Sequence, residues 1–296
     1  MNVIEITNLT KDYGNKKGIF NVSFSVKKGE VLGFLGPNGA GKTTTIRHLM
    51  GFSKPQKGSC SINGLSCFEN SSKIQNSLGY LPGEIAFLDD MTGLQFIKFV
   101  AEMKGIKDLS IANRLMERFE LNPNGRIKKM SKGMKQKIGI ICAFMQEPDI
   151  LILDEPTSGL DPLMQNEFIK LILEEKEKGK TILMSSHSFE EIEKTCDRAA
   201  IIKQGEIVTV ENISTLKESK QKLYNITFEN INMANEFIKE GFKIKNIDGC
   251  NITISIKGDI MPFINALGKY KVLNLETSSQ NLEDLFMHFY GGENND

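Results

Sequence analysis

The sequence predicts an α/β fold through about residue 210, with a helical subdomain inserted in it, and a small α+β module at the C-terminal end. Three features predict this. Short, wholly apolar runs of strand length alternate with helix-like segments in the first part of the chain, as central parallel strands covered on both faces do. Between residues 92 and 146 that alternation gives way to consecutive helical patterns. Past about residue 215, apolar and polar residues alternate singly, which suits half-buried antiparallel strands.

In chain order, residues 31–35 (VLGFL) form an apolar strand that ends in a glycine-rich turn, and residues 43–50 continue as a helix. Residues 150–153 (ILIL) and 181–184 (TILM) are further central strands. In the inserted region, residues 93–105, 110–121 and 132–146 read as helices, and in the middle one Ile111, Leu115, Met116 and Phe119 mark the buried face. Residues 211–220 read as a polar connection. Beyond it, strands are expected at 222–229, 242–247, 251–256 and 271–275, and helices at 233–240, 262–267 and 282–290. That β-α-β-β-α-β order with a final helix resembles a ferredoxin-like module. In the final helix Leu282, Leu285, Phe286 and Phe289 follow helical spacing as packing residues.

Composition narrows the function. The 37 Lys and Arg residues balance 37 Asp and Glu residues, whereas proteins that hold nucleic acid by its phosphates usually carry a basic excess. No nucleic-acid partner is expected. Cys60, Cys67, Cys142, Cys196 and Cys250 are odd in number, widely spaced and form no C-x-x-C. They read as reduced, packed thiols, not as a disulfide framework or a zinc site. The opening MNVIEITNLTKDYG has no basic stretch followed by an apolar one, so it does not read as a secretory signal. No apolar run approaches the roughly 18 residues of a membrane span. Work at a membrane would need another protein as anchor.

Two motifs carry chemistry. Gly36, Pro37, Asn38, Gly39, Ala40, Gly41, Lys42 and Thr43 follow G-x-x-x-x-G-K-[ST] between a strand and a helix. Glycines let successive backbone N–H groups point inward at phosphate oxygens, and the helix N-terminus adds its positive end. Lys42 is expected on the β- and γ-phosphates, the Thr43 hydroxyl on Mg²⁺ and Thr44 at the α-phosphate. The strand at 150–153 ends in Asp154 and Glu155, at the edge where open α/β sheets bind ligands. Asp154 is expected to hold Mg²⁺ through water, and Glu155 to act as general base on the attacking water.

At Ser131-Lys-Gly-Met-Lys-Gln136 the sequence resembles the ATP-binding subunits of ABC transporters. Residues 36–44 look like Walker A, 150–155 like Walker B, 130–134 like the signature motif, and 158–161 (SGLD) like the D-loop. His187 looks like the switch histidine, and Tyr13 stands where the family places an aromatic under adenine. The resemblance covers about residues 1–210. It implies a P-loop NTPase core of ABC type over 1–213 with an N-terminal antiparallel β subdomain and a helical subdomain at about 92–146. An accessory module over 220–290 would follow. It also implies two ATPase subunits, identical or paired, sandwiching two ATP molecules head to tail. Ser131 and Gly133 of one chain would then complete the site of the other, and Asp161 would orient the interface.

The family pattern is broken at Leu78-Gly-Tyr-Leu-Pro-Gly83-Glu84, where Gly83 occupies the position of the usual glutamine. Glu84 is the candidate replacement near Mg²⁺. The form of the signature and of the C-terminal module resembles bacterial drug- and peptide-type exporters, whose ATPases work with a separately encoded integral-membrane permease. The expectation is an ATP- and Mg²⁺-dependent exporter ATPase, cytoplasmic and held peripherally at the membrane by that permease. The segment around residues 84–94 and the helical subdomain would make the contact. Two other readings are a soluble ATPase of the same type acting on ribosomes or DNA, and an ATP sensor of low turnover.

Overall fold

The chain begins with β1 (Asn2–Asp12) and β2 (Gly18–Lys27), which pair antiparallel. The next strand, β3 (Val31–Leu35), is buried at every position and leads into α1 (Lys42–Leu49). The computed structural model describes residues 1–88, 90–218, 222–256 and 259–279. Its contacts divide the chain into two units, Met1–Ile213 and Ser214–Asp296.

In the first unit, β4 (Lys57–Ile62) and β5 (Leu65–Ser66) join the opening strands in an antiparallel sheet of order β2-β1-β4-β5. Then follow α2 (Ser71–Ser77), β6 (Gly79–Leu81), α3 (Gly93–Met103), α4 (Ser110–Arg118) and α5 (Lys132–Phe144). The unit continues through β7 (Ile150–Asp154), α6 (Pro162–Glu177), β8 (Thr181–Ser186), α7 (Phe189–Thr195), β9 (Arg198–Lys203) and β10 (Glu206–Asn212). The second sheet has the order β10-β9-β3-β8-β7-β6, parallel throughout except for β10. β3, β7 and β8 are buried from end to end. Their apolar runs are therefore covered on both faces, and their C-terminal ends carry the phosphate loop, Asp154 and His187 side by side.

The helical insertion has the expected three helices. Thr92 and Gln95 form a reciprocal capping box at the start of α3. α4 ends at Arg118, earlier than the expected 121. Its buried face is Ala112, Leu115 and Phe119, with Ile111 and Met116 half-buried. The chain turns there because Glu120 takes a positive φ of 50°. Residues 211–218 differ from the polar connection expected at 211–220: β10 runs to Asn212, and α8 (Ile213–Glu218) follows. Ile213 and Leu216, three residues apart, are buried and give that helix an apolar side.

The second unit contains β11 (Lys222–Phe228), α9 (Ile231–Ile238), β12 (Lys243–Asp248), β13 (Asn251–Ile256), α10 (Met261–Leu267) and β14 (Val272–Ser279). The sheet is antiparallel with order β12-β13-β11-β14. Tyr224, Ile226, Phe228, Ile252 and Ile254 on the strands pack with Phe237 and Phe263 on the helices. Phe237 and Phe242 stack at 5.5 Å between ring centroids. β14 is longer than the expected 271–275 because it pairs with β11 along its whole length. The helix expected at 282–290 lies outside the described residues. Among the described residues no helix is long and apolar enough to cross a membrane.

Candidate active site

The turn between β3 and α1 curls around a point in front of the helix. Gly41 caps α1 with φ 113°, and a Cβ there would stand 2.6 Å from Ile19 Cγ2. Glycine is required on both counts. Ala40 packs into the core at 3% exposure, while Pro37, Asn38 and Gly39 form the exposed crest of the loop. Lys42 is buried, and its ammonium donates to the Gly36 carbonyl at 2.6 Å and the Pro37 carbonyl at 3.3 Å. The charged end of Lys42 is thus aimed along the loop and not into solvent.

The two acids arrive from β7. Glu155 takes a left-handed backbone conformation, φ 50°, unusual for glutamate. It is held there by its N–H, which donates to the Ser185 carbonyl at 3.2 Å and the Ser185 hydroxyl at 3.0 Å. This turn brings Glu155 Oε1 to 3.0 Å from Lys42 Nζ, and Oε2 to 2.6 Å from His187 Nδ1. The carboxylate therefore bridges the loop lysine and the histidine that follows β8. Gln136, buried on α5, donates to the carbonyls of Glu155 at 3.2 Å and Pro156 at 2.8 Å, and so fixes this turn from the other side.

Asp154 is fully buried. Its Oδ1 accepts the Ser185 hydroxyl at 2.5 Å, and the Thr43 hydroxyl stands near this carboxylate. Burial pushes the Asp154 carboxyl above its ordinary pKa, against the pull of those two hydroxyls. Oδ2 is buried without a hydrogen-bond partner. It faces Gly83, where a Cβ would lie 3.1 Å away. A hard, hydrated cation suits this donor set: one orphaned carboxylate oxygen beside a threonine hydroxyl. Among the described residues no cluster of three or more His, Cys, Asp or Glu side chains is arranged to hold a metal by itself. Mg²⁺ here would rely on Thr43, Asp154, water and phosphate oxygens. Glu84 is exposed and is not part of this cluster.

A cavity of about 1170 Å³ opens over the loop, lined by Tyr13, Pro37, Asn38, Gly39, Gly41, Lys42, Thr43, Thr44, Glu155 and residues 203–208 of the β9–β10 hairpin apart from Gly205. Tyr13 is 59% exposed on its rim, with Lys11 Nζ 5.9 Å from the ring centroid. Gly36, Ala40, Asp154 and His187 are not among its lining residues, and the exposed His187 lines a separate pocket with Thr157, Ser158 and Gly159 while it bonds Glu155. The structure thus gathers the Walker-like residues, Tyr13 and His187 at one place.

Ser131, Gly133 and Asp161 do not line that cavity. Ser131 caps α5, its hydroxyl accepting the Met134 N–H at 3.2 Å. Asp161 caps α6 by accepting the Met164 N–H at 3.0 Å, with Pro162 opening the helix. The two caps belong to one patch. A Cβ at Gly133 would stand 2.6 Å from the Gly159 carbonyl, and Lys132 donates to the Ser158 hydroxyl at 2.8 Å. Ser131 and Asp161 are both exposed there.

Sequence reasoning named Gln136 only as the last residue of the Ser131–Gln136 stretch, with no role, and did not single out Ser185 or the β9–β10 hairpin. Ser185 lies inside a strand, and Gln136 inside a helix, each with partners far along the chain. Only the two serines that end an otherwise apolar strand (TILMSS) hinted at a polar task.

Residues 19–158 match the ABC transporter family. The chain is 34% identical to the bacitracin transport ATP-binding protein BcrA of Bacillus licheniformis, over 98% of each chain. It is 30% identical to the linearmycin resistance ATP-binding protein LnrL of Bacillus subtilis (strain 168), again over 98% of each chain. A solved ATP-binding subunit of an ABC transporter superposes with a TM-score of 0.65 at 31% identity, covering 73% of this chain and 92% of the other. The phosphate loop, the paired acids and these end-to-end likenesses give one answer: the chain is an ATPase and belongs to the ATP-binding proteins of the ABC transporter family.

Proposed function

We propose that two copies of this chain, or this chain and a paired subunit, close head to tail on Mg·ATP and drive an export permease. The observation that carries the reading is the bridge from Lys42 through Glu155 to His187 at the mouth of the phosphate loop. Phosphate oxygens arriving at the loop N–H groups would draw the Lys42 ammonium away from Glu155. The released Glu155 carboxylate can then accept a proton from water, while His187 holds Oε2 and sets the direction of the other oxygen. Mg²⁺, when bound, would neutralise phosphate charge in the transition state. Thr43 and Asp154 are the residues to hold it. Glu84 would have to swing in from the surface to take part, and the reading does not need it.

The head-to-tail arrangement is supported by the second patch. The exposed Ser131 and Asp161 and the half-buried Gly133 stand outside the cavity of their own chain, where a second copy can use them. Leu88, Phe99 and Met103 are exposed apolar residues around the segment expected to meet the permease. The printed names of the relatives, one for bacitracin transport and one for linearmycin resistance, favour export of peptide-like or drug-like cargo. The working location would be the cytoplasmic face of a membrane.

The test replaces Glu155 with Gln and follows the mass in solution with and without Mg·ATP. The mass should double with ATP and return to that of one chain when Ser131→Arg is added. A Glu155→Gln chain that still releases phosphate at the parent rate would remove Glu155 as base.

A further inference from the structure

Glu191 lies on α7, four residues after His187, and is 5% exposed. Its Oε2 accepts the Ser186 hydroxyl at 2.7 Å and the Thr157 hydroxyl at 3.3 Å. Ser186 Oγ in turn accepts the Ser188 N–H at 2.9 Å. Thr157 is two residues after Glu155, and Ser186 and Ser188 flank His187. One buried carboxyl therefore ties the turn that carries the base to the turn that carries its histidine. The other oxygen, Oε1, is buried without a partner. A buried carboxyl with an unmet acceptor is costly to keep in place of an apolar side chain. Burial pushes it up to about 7, with the Glu155 charge adding to the rise and His187 opposing it. Such a group sits where it does because of what it holds.

We propose that Glu191 is a positioning residue for ATP hydrolysis, clamping the Thr157 turn to the Ser186–Ser188 turn so that Glu155 Oε2 and His187 Nδ1 stay in register. The clamp acts on the pair and not on the phosphate loop. It rests on the reading of Glu155 as base and His187 as its partner. Loss of the clamp leaves the nucleotide cavity intact, since Glu191 does not line it, and loosens the geometry on which turnover depends. Displacements of about 1 Å at such a pair can cost up to about 100-fold in rate.

The experiment measures turnover at saturating Mg·ATP and nucleotide affinity for the full-length chain. Glu191→Ala should lower kcat by about tenfold or more while the ATP Kd stays within about twofold. Glu191→Gln keeps an oxygen for both hydroxyls and should restore kcat to within about threefold of the parent. In a His187→Ala background, Glu191→Ala should add less than about twofold, because the two residues act as one unit. Thr157→Val, which deletes one donor with little change of shape, should show the same split in smaller measure. This variant decides the matter if Glu191→Ala does not fold. Equal losses of kcat and ATP affinity, additive losses with His187→Ala, or an unchanged kcat would each overturn the clamp. Glu155→Gln run in parallel separates the two readings. If it turns over normally, the base assignment fails. If it is inactive and Glu191→Ala is not, only the clamp fails.

Discussion

The two patches that the proposed dimer would join are built differently within this one chain. Around Lys42, Asp154 and Glu155 the polar groups are mostly buried and bonded to residues far apart in sequence. Around Ser131 and Asp161 they are exposed, and each side chain caps the helix it opens. The first patch is complete as chemistry but open as a cavity. The second has its local hydrogen bonds met and still presents helix N-termini to the outside, where backbone N–H groups can meet an anion. In the proposed dimer, preorganised charge would belong to one chain and closure to the pair.

That division can be broken at either side, with effects of different size. The largest is expected from Glu155→Gln, which should cut turnover by about 100- to 10,000-fold and leave nucleotide binding in place. Phosphate release and nucleotide titration on the same sample check it. Next, Ser131→Arg should leave ATP binding to a single chain unchanged and abolish the ATP-dependent doubling of mass, read by light scattering. If ATP binding fell as well, the two patches would not be separable.

A smaller effect sharpens the view of the buried side. Glu191 has its folded pKa raised to about 7 from 4.5, so the folded chain holds this proton more tightly than the unfolded chain does. The stability this adds is fully present below about pH 4.5 and is lost as pH rises to about 7. Relative to Glu191→Gln, which carries no such proton, the parent should lose up to about 3 kcal/mol across that window. Denaturant melts of both proteins between pH 5 and 8 check the sign. The smallest effect is expected at the rim, where Tyr13→Ala should weaken nucleotide binding by about 1 kcal/mol through loss of base stacking. Turnover at saturating ATP should barely change.

How much of this was legible in the sequence follows from how local each cause is. The phosphate loop is a local object. Its glycines and Lys42 act within one turn, so spacing alone identified it. The helix caps at Ser131 and Asp161 are local as well. The buried apolar strands were legible as runs because both of their faces are covered. What was not legible depends on long-range partners. Gln136 reaches the Glu155 and Pro156 carbonyls from α5, and its place at the end of the Ser131–Gln136 stretch says nothing of those partners. Glu191 looked like one acid among several on a polar helix. α8 was missed because, among the positions described in that polar stretch, only Ile213 and Leu216 are buried. The extra length of β14 is set by its pairing with β11 and not by its own residues.

The ion pair between Lys42 and Glu155 has a consequence for what the loop admits. An anion approaching Lys42 competes with a carboxylate already in place. A ligand bringing a single negative charge offers the lysine no more than it has, and it gains little by exchange. A chain of phosphates offers several charges at once, and it also meets the loop N–H groups that Glu155 does not use. The pair would therefore set a threshold that a lone carboxylate does not cross and a polyphosphate does. The residue that would carry out the hydrolysis would then also screen what enters the site.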